Sequence, residues 1–62
     1  MPFIEVKVFE HRFEDAEKTA QLIERLTKAM GDTYGEQVAQ ETEVVLTGVP
    51  KSQWGFGGKA RS

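Results

Sequence analysis

Residues 3–9 read Phe3-Ile4-Glu5-Val6-Lys7-Val8-Phe9. Side chains of an extended chain alternate between two faces, so Ile4, Val6 and Val8 share one face while Phe3, Glu5, Lys7 and Phe9 share the other. β-branched and aromatic residues suit a pleated surface, and the stretch predicts a strand. Its second face is only half polar.

Outward from that strand, Glu10-His11-Arg12-Phe13 form a connection. From about Glu14 to Tyr34 the apolar period changes to that of a helix. Ala16, Ala20, Ile23, Thr27 and Met30 form a stripe at three- and four-residue steps, widened by Leu22, Leu26 and Tyr34. Acidic Glu14, Asp15 and Glu17 open the helix, where its dipole favours them. Gly35 suits the position just past the end, and Gly31 is a weak point costing about 1 kcal/mol relative to alanine. Residues 36–41 read as a polar loop. Thr42–Thr47 read as a second strand around Val44, Val45 and Leu46, broken by Gly48–Pro50. Trp54-Gly55-Phe56-Gly57-Gly58 suggests a turn or short hairpin, followed by a loose tail, Lys59–Ser62.

Strand, long helix and strand predict an α/β (α+β) fold class: a single domain over residues 1–62, built as one right-handed β-α-β unit with parallel strands. The helix covers one face of the sheet. The other, carrying Phe3, Phe9 and Val45, is left wet in a monomer, whereas parallel sheets are normally covered on both faces. A chain of 62 residues buries only roughly 60% of its unfolded surface. Chains this small usually add disulfides, a metal or a partner. Cysteine is absent and His11 is the sole histidine, so assembly into an oligomer is the expected source of further burial.

The formal net charge of −2, with both signs scattered along the chain, offers no basic patch for nucleic acid. Apolar runs are short and no signal peptide opens the chain, which predicts a cytoplasmic protein with no membrane partner. No cofactor and no metal site is expected. The glycines near Lys59 do not form a phosphate loop, because Gln53 stands where its first glycine is required. A dinucleotide fingerprint also fails, since no helix can follow Gly55, Gly57 and Ala60.

Three residues are candidates for chemistry. Removal of Met1 exposes Pro2 as a secondary amine fixed by its ring. A reference α-amino group titrates at about 7.7–8.0, and apolar burial or a nearby arginine lowers that further. An amine tuned in this way is neutral at working pH and moves protons. On Pro2 alone, an ordinary second-position proline is the commoner reading. Arg12, just past the first strand, has the planar fork that clamps a carboxylate, or is a solvated loop arginine. Trp54 offers an apolar wall around a base, or a packing anchor for a glycine-rich turn. His11 is expected to face solvent.

Together, Pro2-Phe3-Ile4, Phe9-Glu10-His11-Arg12, the long helix, Val44–Leu46 and Pro50-Lys51-Ser52-Gln53-Trp54-Gly55-Phe56-Gly57-Gly58 resemble the 4-oxalocrotonate tautomerase family over nearly the whole chain. The resemblance implies a β-α-β unit with a C-terminal hairpin, assembled as a homo-hexamer of three dimers, with a hetero-hexamer as the alternative. It implies a tautomerase or isomerase acting on a small unsaturated or 2-keto/2-hydroxy carboxylic acid. Pro2 is then the catalytic base, Arg12 binds substrate carboxylate from a neighbouring subunit, and Trp54 lines the site.

Two departures bear on function. His11 replaces the family's usual glycine before the arginine. Glu43 falls where the best-studied members carry a second arginine, and a carboxylate cannot stabilise negative charge developing on oxygen. Two alternatives therefore accompany the tautomerase reading. One is a non-catalytic or partner-dependent subunit of a mixed hexamer. The other is a hydratase- or dehalogenase-like member in which Glu43 positions water.

Overall fold

The computed structural model describes residues 1–61. Strand β1 (Phe3–Phe9) runs into a 3-10 turn (Glu10–Phe13), helix α1 (Ala16–Tyr34) and a short helix α2 (Glu36–Glu41). Strand β2 (Glu43–Val49) returns beside β1, and a second 3-10 turn (Lys51–Gln53) leads to a hairpin of β3 (Gly55–Phe56) and β4 (Lys59–Ala60). β1 and β2 pair in parallel from Phe3↔Glu43 to Phe9↔Val49, while β3 and β4 pair antiparallel. The β-α-β unit with parallel strands and a C-terminal hairpin is thus the observed fold.

The alternation in β1 is realised: Ile4, Val6 and Val8 are half-buried, and Phe3, Glu5 and Lys7 are exposed. Asp15 caps α1 by accepting the backbone N–H of Glu17 at 2.9 Å and of Lys18 at 3.3 Å, which satisfies donors left free at a helix start. On the outer side of α1, Lys28 Nζ donates to Asp32 Oδ2 at 2.8 Å. That hydrogen bond, and then the charge of Asp32, raises the Lys28 ammonium above its ordinary value. Both side chains are well exposed, and such a pair adds little to stability.

Four details differ from the sequence reading. Residues 36–41 form helix α2 rather than a loop. Gly35 takes φ +106° and turns the chain, after which Val38 and Ala39 become half-buried. Gly31 is where the two helices meet, since a Cβ there would lie 3.0 Å from that of Ala39. Six residues are too few to display a helical period.

The second strand begins at Glu43 and continues through Gly48 and Val49, so only Pro50 ends it. Thr42 instead closes α2, its hydroxyl donating to the Val38 carbonyl at 2.8 Å. Gly48 belongs to the ladder because the first 3-10 turn crosses directly over it: a Cβ there would lie 2.9 Å from Glu10 Cα. The buried side of α1 is also rotated. Thr19, Leu22, Leu26, Thr27 and Met30 are half-buried, whereas Ala16, Ala20, Ile23 and Tyr34 are exposed. Finally, Lys59 and Ala60 are not loose but form β4. Gly57 and Gly58 both take positive φ, the backbone sign that a two-residue type I′ hairpin turn requires. Ser62 of the expected tail lies outside the described residues.

The chain presents 4945 Å² to solvent, against about 4,000 Å² for a compact monomer of this mass. Its radius of gyration is 14.3 Å, where a compact chain of this length has about 11 Å. No hydrophobic side chain among the described residues is fully buried, and Phe3 and Val45 on the uncovered sheet face are 60% and 41% exposed. Helix α1 therefore shields one side of the sheet, while the other is covered at its Phe9 end by Trp54 and His11 and left open among the described residues around Phe3 and Val45.

Candidate active site

The candidate residues gather at two opposite ends of the parallel sheet. At the start of β1, Pro2 is half-buried and Met1 is 86% exposed. The Pro2 carbonyl accepts the backbone N–H of Glu43 at 2.9 Å, which extends the ladder by one bond and anchors the proline to the first residue of β2. Phe3 and Glu43 are register partners, so they project from the same side of the sheet. The neighbours of Pro2 in the ladder are thus an aromatic ring and a carboxylate.

The far end is built from the two 3-10 turns that follow the strands. Trp54 meets Phe9 edge-on with ring centroids 4.9 Å apart, and His11 stacks on Phe9 at 6.2 Å. Lys51 Nζ stands 5.6 Å from the centre of the same Phe9 ring, within range of a cation–π contact. The second turn is closed by bonds from Gln53 N–H to the Pro50 carbonyl at 2.9 Å and from Trp54 N–H to the Lys51 carbonyl at 3.1 Å. The turn thus sets Lys51 at its first residue and Trp54 just past its end, both against the same ring. Arg12 belongs to the first turn and is exposed. An open depression beside these groups is lined by Phe9, Glu10, His11 and Lys51.

Pro2 and Arg12 are separated by the full seven-residue length of β1, roughly 23 Å of extended chain. The structure therefore brings Trp54 to the Arg12 end and leaves Pro2 at the other. One chain by itself does not assemble the three. His11 is exposed as expected, but it stacks on Phe9 rather than standing free. Residue type and order do not mark Phe9 and Lys51 as partners of Trp54; the two turns bring them together.

The model of the tautomerase enzyme family matches residues 2–61. The chain belongs to the tautomerase family. The match begins at Pro2 and runs through the hairpin, so it takes in β1, both helices, β2 and the C-terminal turn. No curated protein sequence and no solved structure matches the chain. Family membership supports a tautomerase-like function and an isomerase type of enzyme. No described helix is long and apolar enough to cross a membrane.

Proposed function

We propose that this tautomerase moves a proton within a small unsaturated or 2-keto/2-hydroxy acid, in the manner of 4-oxalocrotonate tautomerase, with Pro2 as the base after Met1 is removed. The observation that carries the reading is the place of Pro2. It is the first residue of the family match, half-buried, and bonded through its carbonyl to the start of β2. Exposed Met1 lies open to an aminopeptidase. Removing it turns an amide nitrogen without a basic lone pair into a secondary amine. That amine takes the proton from the enol oxygen and returns it to carbon, restoring its own lone pair.

Arg12 and Trp54 act on this reading from a neighbouring chain, because their own chain holds them a strand's length from Pro2. The uncovered sheet face with Phe3 and Val45 supports such an assembly, with a homo-hexamer as the proposed state. A cytoplasmic location accompanies the proposal. The test is an assay of 2-hydroxymuconate or phenylpyruvate ketonisation on protein whose N-terminus is defined by intact mass. Activity confined to the form lacking Met1 supports Pro2. Full activity with Met1 retained ends it.

Glu43 favours a second reading. Its carboxylate stands at the proline end of the sheet, where the established tautomerases resembled by this chain carry a cation. There it favours a protonated Pro2. Glu43 then accepts a proton from water, the hydroxide adds to an unsaturated acid, and protonated Pro2 supplies the proton to the adjacent carbon. A partner-dependent subunit, lending Arg12 or Trp54 to another chain's proline, is the remaining form of the same departure.

A further inference from the structure

Charges on the sheet side opposite α1 are sorted along the strands. Alternation puts Phe3, Glu5, Lys7 and Phe9 of β1 on that side. The parallel register sets Glu43, Val45, Thr47 and Val49 of β2 beside them in the same order. The end nearest Pro2 thus carries two carboxylates, Glu5 and Glu43, around exposed Phe3 and Val45. The other end carries Lys7, which borders a depression with Val49, Gln53, Trp54 and Gly55, and Lys51 over the Phe9 ring. Glu5, Lys7, Glu43 and Lys51 are all exposed. The salt bridge formed among the described residues, Lys28–Asp32, engages none of them.

The proposed function, on which this inference rests, needs the open face covered by another copy of the chain and Arg12 delivered to that copy's Pro2. Stacked sheets stand about 10 Å apart, a gap that a glutamate and a lysine side chain bridge together. A two-fold axis between the faces allows two orientations. With the strands parallel, the Glu5 and Glu43 carboxylates of both copies gather at one end, and Pro2 comes to Pro2. With the strands antiparallel about the level of Val6, β1 lies over β1, so Glu5 stands opposite the partner's Lys7 and Lys7 opposite the partner's Glu5. Like charges brought together across an interface oppose association, and complementary ones fix its register.

We propose that Glu5 and Lys7 form reciprocal ion pairs with a second copy stacked antiparallel on this face, and that their order selects which end of the partner reaches Pro2. The contact is isologous, so each pair occurs twice about the axis. The end that arrives carries Arg12 and Trp54, and the separated halves of the candidate site meet in both directions. Phe3 gains the partner's Phe9 and Trp54 as apolar neighbours. Glu43 comes to the end of the partner that carries Lys51. Glu5 and Lys7 are positioning residues, and the stacked pair is one contact within the larger assembly.

The test is a charge swap read by light scattering over a dilution series of the full chain. Glu5→Lys and Lys7→Glu each set like charges opposite one another, and each is expected to raise the concentration at half-assembly at least about tenfold. The double variant, Glu5→Lys with Lys7→Glu, rebuilds opposite pairs, as does an equimolar mixture of the two single variants. Both are expected to return to within about threefold of wild type. Val45→Asp, on the neighbouring strand of the same face, is expected to weaken assembly too, which pairing through the edge of β1 alone does not produce. A monomeric wild type, single variants that assemble normally, a double variant and mixture that stay dissociated, or indifference to Val45→Asp each overturns the proposal. If reversed charges prevent folding, Glu5→Gln and Lys7→Gln complete a double-mutant cycle in which zero coupling overturns it. Assembly is read without substrate, so Pro2→Ala gives the same pattern whether or not Pro2 is the base, and failure of that mechanism stays distinct from failure of the pairing.

Discussion

The Glu43 backbone N–H donates to the Pro2 carbonyl at 2.9 Å, so the first residue of β2 is tied directly to the candidate base. Because Glu43 is in register with Phe3, its side chain leaves the sheet one residue beyond the proline. Replacing the carboxylate by a cation there changes the field at Pro2 without altering this backbone bond.

Glu43→Arg is accordingly expected to raise ketonisation of an enol acid by about tenfold, through stabilisation of charge developing on oxygen. Glu43→Gln is expected to abolish addition of water to a haloacrylic or acetylenic acid if the second reading holds. Steady-state assays of both reactions on both variants decide between them. Indifference of both reactions to both changes makes Glu43 structural.

Pro2→Ala retains a primary amine but loses the ring that fixes it. The expected loss in kcat/KM is roughly 10²–10⁴-fold, the range of one positioned acid–base group. Circular dichroism should be unchanged, because alanine keeps the carbonyl that bonds Glu43. A variant with near wild-type turnover removes Pro2 from the mechanism.

The uncovered sheet face predicts self-association at micromolar concentration, with a hexamer expected by light scattering. Phe3→Glu places a charge on that face, where Phe3 is now 60% exposed, and is expected to shift the assembly toward smaller species. Activity should fall with it, since Pro2 then lacks the Arg12 of a neighbour. A well-folded, fully active monomer of the wild type contradicts the shared site.

Gly48→Ala tests how the Arg12 turn is held. The added Cβ would stand 2.9 Å from Glu10 Cα and 3.1 Å from a Phe13 ring carbon. Backbone on one side and an aromatic ring on the other leave no cheap adjustment, and a loss of about 1–3 kcal/mol is expected. Urea denaturation at fixed protein concentration measures it, since assembly makes stability concentration-dependent. Substrate binding should weaken together with stability as the turn carrying Arg12 moves.

The amino-acid sequence by itself determined the two strands, the long helix between them and their parallel order. Ile4, Val6 and Val8 alternate over enough residues to set a face, and α1 is long enough to display its period. Pro2, Arg12 and Trp54 were legible as candidates from residue type and order. Only the tertiary structure decided which side of α1 turns inward, because the sheet selects the Leu22–Leu26–Met30 side over the neighbouring Ala16–Ala20–Ile23 side. Nor does local pattern reveal α2 or the last two residues of β2: one depends on Ala39 meeting Gly31, the other on Glu10 crossing Gly48. The division of the candidate residues between opposite ends of the sheet has the same origin. Each residue's type is local information, but a strand's length of rigid separation between Pro2 and Arg12 exists only once β1 is laid beside β2.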